Sequence, residues 1–475
     1  MRICVSALAA VLVSVCYGAL ENVRVVPFSV PAVYGETGRP VGRIYADSAV
    51  QSSIEELAVP FKGDPSLLKT VRLGGKGKRP EFRAGFAVFT VPAFKGENYY
   101  SIFLEPEESA PASTVFEIGG VKFRTAKTVT HPVMEIAGGR VSKSFRIPGV
   151  VQTPSGALVA AFDIRYNHSL DLPADIDVGV SISRDGGTTW TVPRVAIPWK
   201  NLPGGTGIGD PAILCDPSGV LWIAALRAPV SGHPLFTSSK GTCSPQACGQ
   251  MILSKSEDGG ETWSAPVNIT EAVKRMPDSD TAGWGCLFQG PGAGIAMSDG
   301  ALVFPAQVWG DKGRAPHSAV LVWSKDKGRT WHSSKAMAFG GSESAVAEIE
   351  PGVLLVNTRE GAAGKRTSGI TRDLGETWEK IPCDVPQPAG LCQGSLLSKD
   401  GSVYISNPAD LRSRSNMTLR RSLDGGRTWS NGIVYDSREG AGYSSLCTVG
   451  GDIGVLYEGA CGFHYFMTFP QSDIP

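Results

Sequence analysis

The sequence lacks an excess of either charge, because Lys+Arg and Asp+Glu each number 45 among 475 residues and the formal net charge is +0. A basic surface for nucleic acid or another polyanion is therefore not predicted. Long amphipathic helical patterns are also missing, whereas glycine (58 residues) and proline (33 residues) are frequent. This composition favours many short strands joined by tight turns, so the predicted class is all-β.

Hydrophobic runs are short everywhere except at the N-terminus, where residues 1–18 have the order of an export signal. Arg2 supplies a basic start, an apolar stretch follows, and Cys16-Tyr17-Gly18 forms a small-residue cleavage site. This apolar stretch is too short to span a bilayer, and no later segment could span one. We predict a signal peptide over 1–18, with lipidation at Cys16 as the competing interpretation.

Cysteine spacings typical of zinc sites are absent as well. The cysteines that follow the signal are Cys215, Cys243, Cys248, Cys286, Cys383, Cys392, Cys447 and Cys461. An even number in an exported protein permits disulfides. Cys243 and Cys248, in a loop rich in Ser, Gly and Pro, are the best local pair. Reduced, buried thiols suit the others equally well.

The sequence does contain an internal repeat of the form Ser/Thr-x-Asp-x-Gly-x-Thr-Trp. Its copies occupy residues 183–190, 256–263, 324–331, 371–378 and 422–429. The aspartate can accept backbone N–H groups, the glycine can supply a positive φ, and the tryptophan can pack beneath the turn. Each copy follows an apolar run, which predicts a hairpin turn with a structural role. Hairpins repeated at these intervals indicate the blades of a propeller.

Residues 20–128 contain no copy of this box. Short β-type runs at 22–26, 86–91 and 99–104 are separated by polar turns rich in Gly and Pro. This pattern predicts a small antiparallel β-sandwich-like domain that ends near residues 128–131.

An arginine between an aromatic residue and a rigid Ile-Pro step, in Phe145-Arg146-Ile147-Pro148, is predicted to lie on an extended strand. Together with the repeated boxes, this motif resembles the exo-sialidases (neuraminidases) of bacterial and trypanosomal type over residues 130–475. The resemblance implies a six-bladed β-propeller over 132–475, with boxes in only some blades. It also implies that residues 20–128 are an accessory domain, of a kind that sometimes binds carbohydrate.

The resemblance further implies a triad of arginines that binds the carboxylate of sialic acid, formed by Arg146, Arg359 and Arg414. A planar guanidinium suits this task because it can bind a carboxylate through two hydrogen bonds. Two neighbours of the third member, Arg412 and Arg420, are expected to be solvated.

The catalytic residues implied by the resemblance are Tyr443 as the nucleophile, Glu343 as its base and Asp171 as the acid/base. A neutral phenol avoids repulsion from the substrate carboxylate, but its ordinary pKa near ~10 requires a partner base. Sialidases with a tyrosine nucleophile are a known exception to the scheme of two carboxylates. Asp175 and Asp177 are the alternatives to Asp171, and the strand position of Asp177 favours a structural role.

Other residues of the sugar pocket are also implied only by the resemblance. Arg165, Asp210 and Gln289 are the substrate-binding candidates, with Gln307 and Gln393 in less defined roles. The N-acetyl pocket should be apolar, and its candidate residues are Trp222, Trp284 and Trp309.

The predicted function is that of a retaining exo-α-sialidase acting on sialylated glycans or glycoproteins such as mucins, with no metal or organic cofactor. The alternatives are a lectin-like propeller that only binds sialic acid, a trans-sialidase, and a hydrolase of a related nonulosonic acid. Trans-sialidases have an aromatic residue where this chain has Arg412, which favours hydrolysis. Asn-x-Ser/Thr sites at Asn167 and Asn416 would crowd the site if glycosylated. They favour an exported bacterial protein that is periplasmic, extracellular or at the cell surface.

Overall fold

The computed structural model describes residues 20–27, 32–34, 42–48, 54–74, 77–92, 96–202, 206–230, 242–274, 284–310, 317–359, 364–440 and 442–475. Strands dominate these residues, which confirms the all-β prediction, and the one α-helix among them is the single turn Thr270–Val273. None of the helices in this part of the chain is long and apolar enough to cross a membrane. The predicted signal peptide and Cys16 lie outside the described residues.

The chain divides into two compact units, one within Met1–Thr128 together with Tyr435–Ser437, the other made of Val129–Val434 and Arg438–Pro475. In the smaller unit, one antiparallel sheet has the strand order Leu20–Pro27, Gly42–Ser48, Gly96–Pro106, Leu68–Leu73. A second sheet has the order Ala32–Tyr34, Val121–Thr130, Val115–Ile118, Ile54–Lys62, Phe86–Pro92, Glu81–Arg83. Both sheets contribute to one core, to which the first gives Ile44 and Ile102 and the second Phe89 and Phe116.

The larger unit contains six sheets that follow one another along the chain, and their pairings are antiparallel except that of Gly292–Ala293 with Ile208–Cys215 in the second sheet. The first comprises Ser144–Gln152, Leu158–Arg165, Ile176–Ser183 and Arg194–Ile197. The second comprises Ile208–Cys215, Leu221–Arg227, Gln250–Ser256 and Val267–Asn268, with Gly292–Ala293 on its other edge. The third comprises Trp284–Gln289, Leu302–Gly310, Ser318–Ser324 and His332–Ser333, with Ile295–Ala296 beside Leu302–Gly310.

The remaining sheets repeat this arrangement. The fourth comprises Ser344–Glu350, Val353–Thr358, Thr367–Thr371 and Glu379–Ile381. The fifth comprises Ser395–Lys399, Ser402–Pro408, Met417–Ser422 and Ile433–Asp436. The sixth includes Ser444–Val449, Asp452–Glu458 and His464–Phe469. In the first five sheets the box follows the third strand directly, so the boxes form the turns between third and fourth strands.

Each box is closed by one set of hydrogen bonds. In the second box, Asp258 accepts the N–H of Thr262 at 2.9 Å and the hydroxyl of Ser256 at 2.7 Å. The Ser256 hydroxyl in turn accepts the N–H of Gly260, whose carbonyl accepts the indole N–H of Trp263. The predicted capture of backbone N–H groups by the box aspartate is confirmed in all five copies. The fourth box differs in that Trp378 donates to the carbonyl of Lys335 instead.

Two local predictions are wrong. The residue before Pro148 was expected to be extended, but Ile147 has φ +62° at an irregularity in the pairing of the strand Ser144–Gln152. Cys243 and Cys248 do not form a disulfide, and the same holds for every described cysteine. The Cys248 thiol instead accepts a hydrogen bond from the ammonium group of Lys274 at 3.3 Å. Both side chains are fully buried, so this loop is held by polar contacts.

We predict that Asp258→Ala lowers Tm by ~1–3 °C and leaves the solubility of the protein unchanged. Hydrogen bonds from the hydroxyl and N–H of Thr262 lower the pKa of Asp258 to about 2. Because the pKa is lowered on folding, the stabilisation is present above about pH 4 and is lost as the pH falls through the folded value.

Thermal unfolding at pH 7 and at low pH measures this effect. Glu257→Ala is the matched control, because Glu257 is an exposed carboxylate of the same turn that forms an ion pair with Lys255. Equal Tm values for the two variants at pH 7 would contradict the structural role of the box aspartate.

Candidate functional site

Acidic and basic side chains converge on one cavity of about 270 Å³ in the larger unit. Its lining residues are Arg146, Ile147, Asp171, Leu172, Asp210, Phe288, Gln307, Trp309, Ser342, Glu343, Arg359, Leu391, Arg414 and Tyr443. A second cavity of about 370 Å³ is lined by the first strands of the sheets, and Glu348 is its one charged lining residue. Glu348 is already bound to Ser298 and Gly352, so the chemistry belongs to the smaller cavity.

The sheets place these residues at one edge of the unit. Arg146, Asp210 and Gln289 lie on the first strands of the first three sheets. Glu343 and Tyr443 immediately precede the first strands of the fourth and sixth sheets. Each first strand is held by an antiparallel neighbour, although the pairing is interrupted between Arg146 and Gly149 and between Gly209 and Ala212, so these side chains start from defined backbone positions.

The three predicted triad arginines line this cavity and are each held differently. Arg146 donates from Nε to the Glu458 carboxylate at 2.7 Å. Arg359 lies 2.7 Å from the Glu343 carboxylate, and Arg414 donates from Nε to the carbonyl oxygen of Leu391 at 3.1 Å. The charges of Glu458 and Glu343 raise the pKa values of Arg146 and Arg359 despite the opposing effect of burial. Both guanidinium groups are therefore protonated at every physiological pH.

The hydroxyl of Tyr443 lies between two of these groups. It donates a short hydrogen bond to Glu343 Oε1 and accepts one from Arg359 Nη1 at 3.0 Å. Burial, and next the charge of Glu343, raise the pKa of Tyr443 well above its ordinary value. The phenol is therefore neutral at neutral pH, and it already donates its proton to a carboxylate that can accept it.

Glu458, at the end of its strand in the sixth sheet, joins three parts of the site. One carboxylate oxygen accepts Arg146 Nε and the backbone N–H of Ile147, each at 2.7 Å. The other accepts the backbone N–H of Tyr443 at 3.1 Å. Burial alone would raise the pKa of Glu458, but the charges of Arg146 and His464 hold the pKa below its ordinary value. Glu458 therefore fixes the first arginine and the tyrosine relative to each other.

A related arrangement occurs at Asp210, which also precedes a proline and has φ +53°. Its backbone N–H donates to Asp163 at 2.8 Å, just as that of Ile147 donates to Glu458. Left-handed backbone is costly for a residue with a Cβ and persists only where its surroundings impose it. A buried carboxylate imposes it at both positions.

Asp163 also holds Arg165, which donates to it from Nε at 3.1 Å and from Nη2 at 2.7 Å. The remaining nitrogen, Nη1, lies 2.9 Å from Asp171, whose side chain is 73% exposed. Burial and the charges of Asp163 and Asp171 raise the pKa of Asp210. One buried ion pair thus positions the exposed Asp171 and the backbone of Asp210.

Not every predicted site residue reaches the cavity. Arg165 is 1% exposed and touches the site through Asp171. Gln289 is fully buried and donates to the backbone oxygen of Asp210 at 2.6 Å. The prediction that Gln289 binds substrate is therefore not supported, because its side chain supports Asp210 instead.

The alternatives to the chosen residues occupy other places. Asp175 and Asp177 both bind Arg140, and Trp199 donates to both, so neither faces the cavity. Of the three tryptophan candidates only Trp309 lines the cavity, since Trp222 and Trp284 belong to the core between the second and third sheets. Arg412 is exposed as expected. The expectation for Arg420 is wrong, because it is 9% exposed and burial lowers its pKa.

Several supporting residues were not predicted from the sequence. Glu458 is an isolated acid at the end of an apolar run, and Leu391 contributes only its carbonyl. Cys392 packs with Ile147 and Tyr443 beneath the cavity. Asp163 was noted only as part of the motif that contains Arg165. The one available signal was the presence of single charged residues within otherwise apolar strands.

Comparisons with known proteins agree with this geometry. Residues 156–455 match the model of the BNR repeat-like domain. A sialidase of Bacteroides fragilis (strain YCH46) is 37% identical over 413 residues, covering 80% of this chain and 74% of the relative. A sialidase of Paraclostridium sordellii is 31% identical, covering 68% of this chain and 83% of the relative.

Solved structures give the same result. The Hadza microbial sialidase Hz136 is similar with a TM-score of 0.78 and 29% identity, covering 95% of this chain and 100% of that chain. Trypanosoma rangeli sialidase has a TM-score of 0.59 at 24% identity over 72% of this chain and 57% of that one, which shows the fold alone. These neighbours are β-propellers.

We predict that Glu458→Gln lowers the free energy of unfolding by about 3 kcal/mol, because it leaves a largely buried guanidinium without its counter-charge. The carboxylate has a lowered pKa when folded, so its stabilisation is present above the unfolded pKa and is lost as the pH falls through the folded pKa. Chemical denaturation at neutral pH should therefore give a lower free energy of unfolding for the variant than for the wild type. This difference in free energy should become smaller in acid.

Glu261→Gln is the control, since Glu261 also pairs with arginines but is 39% exposed. Glu261→Gln should lower the free energy of unfolding by less than about 1 kcal/mol. A comparable loss in both variants, or a loss for Glu458→Gln that does not depend on pH, would contradict the assigned role.

Proposed function

The chain belongs to the sialidase family and is an exo-α-sialidase, a glycoside hydrolase, and on this premise we propose that it releases terminal α-linked sialic acid with retention of configuration. Tyr443 is the nucleophile, Glu343 its base and Asp171 the acid/base. The observation that carries the proposal is the Tyr443 hydroxyl, which donates to Glu343 in a cavity surrounded by three arginines.

Substrate binding uses the charge of this cavity. The carboxylate of sialic acid binds Arg146, Arg359 and Arg414, whose planar groups can each supply two donors. Asp210 faces the same cavity and forms a hydrogen bond with a ring hydroxyl of the sugar, and burial together with the charges of Asp163 and Asp171 raises the pKa of its carboxyl. Phe288 and Trp309 form an apolar wall suited to the N-acetyl group.

In the first chemical step, the oxygen of Tyr443 forms a bond to the anomeric carbon while the bond to the leaving oxygen breaks. Glu343 takes the phenolic proton, and Asp171 gives a proton to the leaving oxygen. A neutral phenol is suited to this step, because an anionic nucleophile would be repelled by the substrate carboxylate. The exposed position of Asp171 lets it exchange protons with water between steps.

In the second step, water attacks the anomeric carbon from the face that the leaving group vacated. Asp171 now accepts a proton from this water, the bond to Tyr443 breaks, and Glu343 returns its proton to the phenolate. Two inversions give net retention. The residues act without a metal or an organic cofactor.

The architecture supports a further part of the proposal. The six sheets of the larger unit are six blades around the site, and each of the first five carries one box at the turn after its third strand. The two sheets around one core in residues 20–128 form a β-sandwich domain with an accessory role.

The natural partners are sialylated glycans or glycoproteins, mucins among them. The signal in residues 1–18 directs export, to the periplasm, the cell surface or the medium of a bacterium. Hydrolysis is favoured over transfer because the exposed Arg412 stands where trans-sialidases have an aromatic acceptor platform. A propeller that only binds sialic acid would not need the Tyr443–Glu343 contact.

A 2,3-difluoro sialic acid should trap the covalent intermediate on Tyr443. Fluorine beside the reaction centre slows both steps by destabilising the oxocarbenium-like transition state, while a good leaving group still allows the first step. Digestion and mass spectrometry should place the adduct on the peptide that carries Tyr443. Tyr443→Phe should abolish the adduct, because no phenolic oxygen remains, and should still bind sialic acid through the arginines.

Proton NMR of the released sugar supplies the second measurement. The α-anomer should be released first and should convert later to the β-anomer. An adduct on Glu343 or Asp171, or β-sialic acid as the first product, would show that the tyrosine mechanism is wrong for this chain.

Asp171→Ala should reduce kcat/KM on sialyl-lactose by roughly 10²–10⁴-fold, the usual contribution of general acid catalysis. An aryl sialoside needs less protonation of its leaving group, so kcat/KM on this substrate should fall by about tenfold or less. Parallel steady-state assays on the two substrates measure the difference. Asp175→Ala is the control, since Asp175 lies nearby in the chain but binds Arg140 and Trp199.

The control should affect the two substrates equally. Equal losses on both substrates in Asp171→Ala would remove Asp171 from the acid role while leaving the nucleophile untouched.

A further inference from the structure

A buried arginine behind the proposed catalytic centre has no role in the mechanism above. Arg366 is 2% exposed, and no carboxylate forms an ion pair with it among the described residues. Its Nε donates to the side-chain oxygen of Asn357 and its Nη1 to the carbonyl of Cys392 at 2.7 Å. Its Nη2 finds no hydrogen-bond partner in the described part of the chain. A buried charge without a contacting counter-charge is costly, so its presence requires a reason.

The strand register places Arg366 close to the base of the nucleophile. Ser344 pairs with Thr358, and Thr358 pairs with Thr367. The residues just beyond this row are Glu343, Arg359 and Arg366, which therefore lie at one end of three adjacent strands. Neighbouring strands are ~4.8 Å apart, so the row puts Arg366 two strands from Glu343, on the far side of Arg359.

Arg366 also supports the floor beneath the nucleophile. The carbonyl that its Nη1 holds belongs to Cys392, whose side chain packs against Ile147 and Tyr443. A Cβ built on Gly394 would lie 2.9 Å from Cζ of Arg366, so the loop that carries Cys392 rests directly on the guanidinium. Moving this guanidinium would therefore move the surface on which Tyr443 sits.

The charged groups around Arg366 also connect it to Glu343. Burial lowers the pKa of Arg366 to about 10, and the charges of Cys383, Cys392 and Glu343 oppose that lowering. The guanidinium is thus protonated at neutral pH, and burial raises the pKa of the Cys392 thiol to about 11. Among Cys383, Cys392 and Glu343, only Glu343 is a carboxylate.

Other charged or titratable groups also face Glu343. Tyr443 and Arg359 contact it directly, and the charges of Asp210 and Cys392 interact with it more distantly. Arg359 will pair with the substrate carboxylate as well as with Glu343, so its charge is shared once substrate binds. The charge of Arg366 is not shared in this way.

We propose that Arg366 is a positioning residue whose buried positive charge stabilises the ionised form of Glu343 and thereby the transfer of the Tyr443 proton. This inference rests on the proposed roles of Tyr443 and Glu343. It assigns to Arg366 a function that a hydrogen-bonded packing residue would not have, namely an effect on the pH range in which the base is active.

The test compares three variants by the pH dependence of kcat/KM on an aryl sialoside. Arg366→Gln keeps donors for the Cys392 carbonyl but removes the charge, whereas Arg366→Lys keeps the charge. Arg420→Gln is the matched control, because Arg420 is also buried and lacks a partner at Nη1 among the described residues, but the carboxylate whose charge acts on it is Asp384.

In Arg366→Gln, the acid limb of the kcat/KM profile should move to higher pH by about 0.5 unit or more. On that limb, kcat/KM should therefore fall roughly threefold more than it falls at the pH optimum. Arg366→Lys should restore the limb, and Arg420→Gln should leave it in place. Superimposable acid limbs in all variants, or a shift in Arg366→Lys as large as in Arg366→Gln, would overturn the proposal.

Thermal unfolding of Glu343→Gln, Arg366→Gln and the double variant gives a measurement that needs no activity. If the two charges interact, the double variant should lose less Tm than the sum of the single losses. Should Arg366→Gln be too unstable to purify, recovery of soluble protein in the double variant is the expected result. Additive losses, or an equally insoluble double variant, would contradict the interaction.

The difluoro adduct separates this inference from the proposed function. An adduct on Tyr443 with an unmoved acid limb would refute only the role of Arg366. An adduct on another residue would refute the proposed mechanism itself, whatever the variants of Arg366 do.

Discussion

The contact on which the rest of the site depends is the carboxylate of Glu458 with Arg146, Ile147 and Tyr443. It joins the first sheet to the sixth across 312 positions of sequence, and it fixes Arg146 and Tyr443, the proposed nucleophile, relative to each other. Buried ion pairs rarely add net stability, because desolvation offsets the attraction. Here the cost is offset by two backbone N–H bonds to the same carboxylate. The ion pair therefore serves to fix the positions of these residues more than to stabilise the fold. A site proposed to bind an anionic sugar needs its charged groups in fixed positions.

The same device occurs twice, and this repetition explains the geometry of the cavity. At Ile147 and at Asp210, a residue before proline adopts a left-handed conformation that its side chain disfavours, and a buried carboxylate accepts its N–H. Proline cannot continue the ladder, and the pairing of each strand is irregular at this point. Arg146 in one case and Asp210 in the other line the cavity at this irregularity. Strain is thus located where the side chains must be aimed.

The local features of the sequence predicted the repeated turns well, because a box contains its own hydrogen-bond partners within eight residues. The all-β class and the family followed from the same repeats. What the sequence did not indicate are the partners that meet only after folding. Glu458 ends an apolar strand and Arg366 follows Lys365 just before one, and nothing nearby in the chain distinguishes them from structural acids and bases. The conformation of Ile147 went against the local preference before proline, because a carboxylate far away in the chain decides it. Gln289 was assigned to the substrate by resemblance, although its side chain ends at the backbone of Asp210.

The charge balance of the cavity accounts for the choice of tyrosine. Glu458 compensates Arg146, and Glu343 compensates Arg359, before any substrate arrives. A carboxylate in the place of Tyr443 would pair with the same arginines and would compete with the substrate for them. The phenol does not compete, because burial and Glu343 raise its pKa and keep it neutral. In the proposed mechanism the phenol becomes anionic only as its proton passes to Glu343, and Arg359, whose Nη1 already contacts the phenolic oxygen at 3.0 Å, is then in place to stabilise the new charge. The positive charges proposed to bind the substrate would therefore also favour ionisation of the proposed nucleophile.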